Sequence, residues 1–218
     1  FPEDTIPGGK NFTTTILEDS RQNIWIGNYN GGGVHILNRK SGEFRNYLKN
    51  HSVLKILEDG YGKIWAGAED GLYYYNSAVD SFTLFNDPST GLNLVTHEML
   101  EDNNKNLWIV STNGIYRINT RLNEVSKFGK DFGINSNNLN YKAAFKNADG
   151  ELFFGTITGY YSFHPDKISG NPNPPEINLT AFRIGDQQVK AGKGNALEED
   201  LLLAKQIKLG YNQDVFSF

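Results

Sequence analysis

The sequence contains no cysteine and a single methionine among its 218 residues. Disulfide staples and cysteine-bound metal are thereby excluded, while the compartment stays open, because a thiol-free chain suits oxidising and reducing surroundings alike. Charge of one sign is also missing: 21 Lys and Arg stand against 25 Asp and Glu, for a net charge of −4, and the basic residues are scattered. Without a basic stripe to track phosphates, no nucleic-acid partner is expected for this segment. No run approaches the roughly 20 apolar residues of a membrane-spanning helix, and no basic, apolar, small-residue leader stands at the front. Chemistry-bearing motifs are absent too: there is no Gly-x-Ser-x-Gly elbow, no glycine-rich phosphate loop with Lys and no His-Glu-x-x-His helix. His35, His51, His97 and His164 include no pair at metal-ligand spacing. The expectation is therefore no catalytic residue, no metal and no cofactor in this chain.

What the sequence does hold is 13% aromatic residues and 23 glycines, a composition of strands joined by tight turns, so an all-β fold is expected. Its length suits one large all-β domain or one domain plus part of another. Phe1 is not an initiator Met, and Val215 to Phe218 stop within strand-like sequence, so the chain reads as a piece of a longer protein. Any membrane attachment would come through a helix further downstream.

Alignment on the three Trp residues exposes a repeat from about Asn11 to Ile168. Ile16-Leu17-Glu18-Asp19 precedes Ile24-Trp25-Ile26-Gly27, and Ile56-Leu57-Glu58-Asp59 precedes Ile64-Trp65-Ala66-Gly67. Met99-Leu100-Glu101-Asp102 precedes Leu107-Trp108-Ile109-Val110, and Ala144-Phe145-Lys146-Asn147 precedes Leu152-Phe153-Phe154-Gly155. The period is roughly 40 to 45 residues, that of a four-stranded blade in a β-propeller. Polar turns such as Asp19 to Asn23 and Asp59 to Gly62 join the first two strands as hairpins. Gly33, Gly71, Gly114 and Gly159 open a third strand, where positive φ or a close backbone approach explains the glycine. Phe44 to Tyr47, Phe82 to Phe85 and Val125 to Phe128 are fourth strands, and the last unit, with Pro165 after His164, has none. A lone blade cannot bury both faces, so the repeats must stabilise one another. Four blades are visible, and residues 1–170 are expected to be the C-terminal blades of a larger ring.

From Ser169 to Pro175 three prolines and no apolar period mark a boundary. Beyond it, residues 171–218 are expected to be a linker and the truncated start of an Ig-like β-sandwich, with a strand in Glu176 to Ile184 and two more between Ile207 and Phe218.

These residues resemble the two-component-regulator propeller repeats of extracytoplasmic sensor regions in hybrid histidine kinases of Bacteroidetes. Ile16 to Val34 nearly reproduces that pattern of Ile-Leu-Glu-Asp, polar turn, Trp, Ile-Gly and Gly-Gly. Phe163-His164-Pro165-Asp166, Pro175 to Phe182 and Leu209 to Asp214 resemble the last blade and the start of the Tyr-Tyr-Tyr sandwich domain that follows it. Departures are Val110 for Gly, Lys146-Asn147 for Glu-Asp and Phe153 for Trp. The resemblance implies a non-enzymatic, periplasmic sensor module of a two-component system, homodimeric through its complete ectodomain, with an oligosaccharide as ligand. The kinase itself lies outside this chain.

The repeated pairs Glu18-Asp19, Glu58-Asp59 and Glu101-Asp102 could suggest the two carboxylates of a glycosidase. Equivalent positions of successive blades are distributed around the ring, however, and Asp at the entry to a hairpin is a turn-forming choice. Trp25, Trp65 and Trp108, flanked by aliphatic residues, belong between the blades as packing. Asn11-Phe12-Thr13 and Asn178-Leu179-Thr180 match a glycan acceptor pattern too common to carry weight. Binding is expected on loops held by rigid strands. In a four-stranded meander the loops between second and third strands share one face with the blade-to-blade connections. That face holds Tyr29, Asn30, His51, Glu69, Asp70, His97, Asn113, Asn138 and Thr158 as candidates, with Asn93, Thr112, Asn137 and Asn140 beside them. Two rivals remain: a propeller lyase or glycosidase, which needs charged side chains converging near the axis where the sequence offers no candidate set, and a protein-interaction scaffold.

Overall fold

The computed structural model describes residues 12–87, 94–168, 179–204 and 206–217. The chain divides into two compact units, Phe1–Ile168 and Ser169–Phe218. In the first, four antiparallel meanders follow one another. Blade 1 comprises β1 (Thr13–Glu18), β2 (Asn23–Asn28), β3 (Gly33–Asn38) and β4 (Phe44–Tyr47). Blade 2 comprises β5 (Val53–Glu58), β6 (Ile64–Ala68), β7 (Gly71–Asn76) and β8 (Ser81–Phe85). Blade 3 comprises β9 (Glu98–Glu101), β10 (Leu107–Ser111), β11 (Gly114–Asn119) and β12 (Glu124–Phe128). Blade 4 has three strands, β13 (Leu139–Lys146), β14 (Leu152–Thr156) and β15 (Gly159–Phe163), and then a 3-10 turn that Pro165 opens. The strands expected from the repeat are thus the strands observed.

Every first hairpin is built alike. The backbone N–H of Asp19, Asp59, Asp102 and Asn147 donates to the carbonyl of the residue four places on, at 2.9–3.0 Å. The residue before that partner takes positive φ: Gln22 at 67°, Gly62 at 79°, Lys105 at 63° and Gly150 at 85°. Inside each turn the acidic side chain works as a hub. Asp19 accepts from the backbone N–H of Arg21 and Asn23, from Asn23 Nδ2 and, at 2.8 Å, from Trp25 Nε1. Trp65 Nε1 donates to Asp59 and Trp108 Nε1 to Asp102, again at 2.8 Å. Burying a large indole leaves its N–H in need of an acceptor, and the turn carboxylate supplies it. Blade 4 loses both halves together: Phe153 has no N–H to satisfy, and the amide Asn147 stands for the carboxylate while still accepting from Glu151 N at 2.8 Å.

The cores lie between blades. Trp25 and Val34 pack with Val53, Ile56, Ile64 and Tyr73 of blade 2; Trp65 and Leu72 pack with Met99, Leu107 and Ile109 of blade 3; Trp108 and Ile115 pack with Leu152 and Phe154 of blade 4. Gly27 makes room for this, since a Cβ there would meet Val53 Cγ1 at 3.0 Å and Ile56 Cδ1 at 3.4 Å. Val110, in the equivalent place of blade 3, packs in a core to which blade 4 brings Ala144 where its sisters bring Ile56 and Met99, so volume is conserved across the pair. Gly114 shows why a third strand opens on glycine: at φ 138° its Cβ would lie 2.7 Å from the Phe128 carbonyl oxygen.

A second link joins neighbouring turns. Glu58 accepts from Ser20 N at 2.7 Å and Ser20 Oγ at 2.6 Å, Glu101 accepts from Gly60 N, and Lys146 Nζ donates to Asn103 Oδ1 at 3.4 Å. Glu58 and Glu101 therefore brace the preceding blade while Asp59 and Asp102 hold their own turns, and Glu18 pairs with Arg39 of its own blade at 2.8 Å. Neither carboxylate of such a pair is free for a substrate.

In the second unit β16 (Arg183–Ile184) lies between β17 (Gln187–Gln188) and β18 (Phe216–Ser217). Residues 176–178 of the first strand expected there lie outside the described residues, and its remainder is strand only at Arg183–Ile184. Of the two strands expected from Ile207 onward, one two-residue strand forms among the described residues. Tyr211 and Val215 stand exposed, with no opposing sheet among the described residues to bury them and hold a longer register.

Asp102→Ala would strip acceptors from Trp108, Asn106 and the Asn104 N–H, and urea unfolding is expected to register a loss of about 2–4 kcal/mol. The double change Asp102→Asn with Trp108→Phe rebuilds the blade 4 arrangement. It should cost at least about 1 kcal/mol less than the sum of its parts.

For Asp19, burial pulls the carboxyl pKa upward, but the hydrogen bonds from Asn23, Trp25 and the backbone outweigh it and hold it below its ordinary value. A folded pKa below the unfolded one contributes stability that is complete above the ordinary carboxylate range and is lost as pH falls through the depressed value. Thermal unfolding between about pH 2 and pH 7 should show Asp19→Asn less stable at neutrality, with a shallower decline below about pH 4.

Candidate functional site

The loops between second and third strands and the blade-to-blade connections gather at one end of the blades, and the candidate residues fall into small groups there. Tyr29 OH donates to Glu69 Oε1 at 2.7 Å, bridging blades 1 and 2, and that bond raises the tyrosine pKa. His51 Nδ1 lies 2.6 Å from Asp70 Oδ2, which also accepts from Tyr73 OH at 2.9 Å. His97 is buried and stacks on exposed Tyr141, with ring centroids 3.9 Å apart. Burial pushes the His97 imidazole below its usual pKa, against the opposing field of Glu69, so it is neutral near pH 7. Tyr29, Glu69, His97 and Tyr141 thus share one neighbourhood, and His51, Asp70 and Tyr73 form another.

The remaining candidates do not join these groups. Asn30 is an exposed turn residue at φ 51°, and Asn113 is exposed in the turn before β11. The Asn138 carbonyl accepts from Ile157 N at 2.9 Å, which draws the turn carrying Thr158 toward it, and Thr158 N donates to Thr156 Oγ1 at 3.2 Å. Asn93 lies outside the described residues, as do Asn11 and Asn178 of the two glycan-acceptor patterns and the side chain of Asn137.

The innermost strands carry a charged set that the sequence reading missed. Lys55 Nζ lies 2.8 Å from Oε1 of Glu98, a residue only 4% exposed whose carboxylate also accepts from Met99 N at 2.9 Å. Lys142 Nζ donates to the Thr14 carbonyl oxygen, joining blade 4 to blade 1, and feels the charges of both Glu98 and Lys55. The sequence offered no candidate set of charged side chains near the axis, and the structure supplies one, with β5, β9 and β13 each contributing a residue. The signal was available, since Lys55 and Glu98 both stand immediately before the apolar residue that opens the repeat motif. Two ammonium groups and one carboxylate do not make the carboxylate pair of glycoside hydrolysis. Among the described residues no group of three or more His, Cys, Asp or Glu is placed to hold a metal ion, and no helix is long and apolar enough to cross a membrane.

The hairpin-turn end of blades 1 and 2 holds a cleft of about 540 Å³, lined by Asn38, Arg45 and Tyr47 of blade 1 and by Tyr61, Lys63 and Asn76 of blade 2, among others. Arg45 bridges it to the Asp80 turn, with Nη1 2.6 Å from Asp80 Oδ2. Tyr47 and Tyr75 both donate to Asp80 Oδ1, at 2.7 and 2.5 Å.

Comparison with known proteins agrees with this architecture. Residues 7–30 match the family model described as two component regulator propeller, so the resemblance read from the repeat is borne out there. A Formosa agariphila protein named Histidine kinase P4 is 29% identical over 228 residues, taking in 99% of this chain and 16% of that protein. The extracellular domain of the hybrid two component system BT3049 from B. thetaiotaomicron superposes with a TM-score of 0.59 and 24% identity, over 72% of this chain and 22% of that one. Virginiamycin B lyase from Staphylococcus aureus superposes at 0.54 with 14% identity, over 73% of this chain and 58% of that one. The unit built from the repeat has β-propeller architecture, a fold that a sensor region and a lyase share. The chain spans a small part of its histidine-kinase relative.

Lys55→Met is expected to cost about 1–2 kcal/mol in urea unfolding, since Glu98 would stay buried without its nearest cation and the partly exposed lysine limits the loss. Adding Glu98→Gln should recover part of that cost.

Proposed function

We propose that this chain is a non-catalytic, ligand-sensing segment of a larger hybrid two-component receptor, placed in the periplasm and recognising an oligosaccharide. The observation that carries the reading is the match to Histidine kinase P4, which extends through 99% of this chain yet involves 16% of that protein. A segment related in that way to a kinase is an input module, with the phosphotransfer machinery in the rest of the polypeptide. The two-component-regulator model on residues 7–30 and the fold shared with an extracellular domain of such a system support the same assignment.

The four blades are members of a larger ring. Phe12 and Ile16 at one end and Phe145, Ile157 and Tyr160 at the other are all exposed, and apolar faces of this kind are what adjoining blades cover. The receptor is a homodimer through its complete ectodomain, and ligand acts by preferring one of two arrangements of that dimer. A catalytic reading draws support from the lyase fold and the Lys55–Glu98–Lys142 set. Against it stands the single carboxylate of that set.

Isothermal titration of the full chain against neutral and acidic oligosaccharides should give saturable binding with no change in the sugar. Silence across the panel removes the carbohydrate assignment. Cleavage products in chromatography of the mixtures would replace a sensor with an enzyme.

A further inference from the structure

We propose that the cleft between blades 1 and 2, at the hairpin-turn end and away from the loop face, is a binding subsite for an uncharged pyranose unit. This deepens the oligosaccharide reading and rests on it. Its volume of about 540 Å³ falls within the range of small-molecule sites.

The cleft exists because of one local difference between sister blades. Two residues before the Trp, blade 2 carries Lys63, whose ammonium lies 3.7 Å from the centre of the Tyr74 ring and 4.7 Å from that of Trp65. The side chain fills the corresponding gap between blades 2 and 3, where a cavity of about 220 Å³ remains. Blade 1 carries the short Asn23 instead, folded back onto Asp19 through a 2.9 Å hydrogen bond, and the space beside Trp25 is part of the cleft.

The lining suits a sugar ring. Tyr61, 48% exposed, and the half-buried Tyr47 and Tyr75 supply aromatic surface that attracts the C–H groups of a pyranose, while Lys63 covers one face of Tyr74 and Lys105 approaches the Tyr61 ring at 4.6 Å. Asn38 and Asn76, the last residues of equivalent strands, use their side-chain oxygens on the turns that follow, accepting from Lys40 and Ser41 and from Ala78 respectively. Among the described residues their amide N–H groups remain unspent and can donate to hydroxyl oxygens, while the Asn23 side-chain oxygen can accept. Charge selects against an ion: Arg21, Arg45 and Lys63 are balanced by Asp19, Glu43 and Glu58 along the same walls.

The test uses the full chain and the oligosaccharide that binds it best in a panel of cello-, xylo-, manno- and galacto-oligosaccharides, with oligogalacturonate as the acidic arm. Tyr61→Ala and Ser77→Trp, the second placing bulk in the cleft from an exposed position, should each weaken binding by at least about tenfold, with unchanged thermal unfolding. Tyr29→Phe on the loop face should leave affinity within about twofold. Binding that survives both cleft variants, or that is lost with Tyr29→Phe alone, overturns the subsite while leaving carbohydrate sensing intact. Selective binding of oligogalacturonate overturns its uncharged character. No binding by any sugar removes the parent reading, and the subsite with it.

Discussion

The bond from a buried indole N–H to a turn carboxylate is the interaction on which this architecture depends. Trp25, Trp65 and Trp108 are the bulk that fills the gap to the next blade, and each can be buried only because Asp19, Asp59 or Asp102 accepts its polar edge. The same carboxylate closes the hairpin from which the tryptophan strand starts, so turn geometry and core packing are two outcomes of one side chain. A change at either partner disturbs both. Because each tryptophan lies in a core shared with the following blade, the consequence passes along the chain instead of staying in one sheet.

Much of this is legible in the order of residues, for a physical reason. Blades repeat, so any position required by geometry recurs at a fixed offset, and Ile-Leu-Glu-Asp before Trp is such a set. The exceptions are as informative. Asn147 and Phe153 look like independent drift when read singly, yet together they remove a donor and its charged acceptor in one blade. Val110 seems to break the Trp-x-Gly rule until Ala144 is found in the same core, giving back the volume that valine takes. Compensations across blades are hidden from a reading that compares equivalent positions and not contacting ones. In the second unit the strands among the described residues are short, for a related reason: an alternating apolar pattern holds a long strand only where a second layer buries one face, and Tyr211 and Val215 stand exposed.

The candidate site was legible to a lesser degree. Topology brings the loop residues to one end, as expected, and their pairing follows the blades: Tyr29 reaches Glu69 across a blade boundary and His51 reaches Asp70. Which polar residues share a neighbourhood depends on side-chain reach, which spacing does not encode. Lys142 illustrates this. It sits at φ 55° in β13, where the pairing register with β14 slips between Leu139 and Ala144, and its ammonium meets a carbonyl of the first blade 128 residues away in sequence. The turn-end cleft was harder still to foresee, because it arises from a short side chain where a sister blade has a long one.

The two ends of the blades therefore carry different kinds of constraint. At the loop end, polar groups are already engaged with one another across blade boundaries, and the axial lysines and Glu98 tie three inner strands together. At the turn end the Glu58–Ser20 and Arg45–Asp80 contacts join blades 1 and 2 at the rim of the cleft and leave the space between them open. Both rim contacts are exposed and of modest strength, whereas the Trp25 core beneath them is buried and packed. A molecule seated between two such sheets would work against the weak rim, not against the core. The spacing of neighbouring blades at their turn end is then the degree of freedom that binding can shift, and a rigid repeat can pass such a shift onward because its cores are continuous from blade to blade.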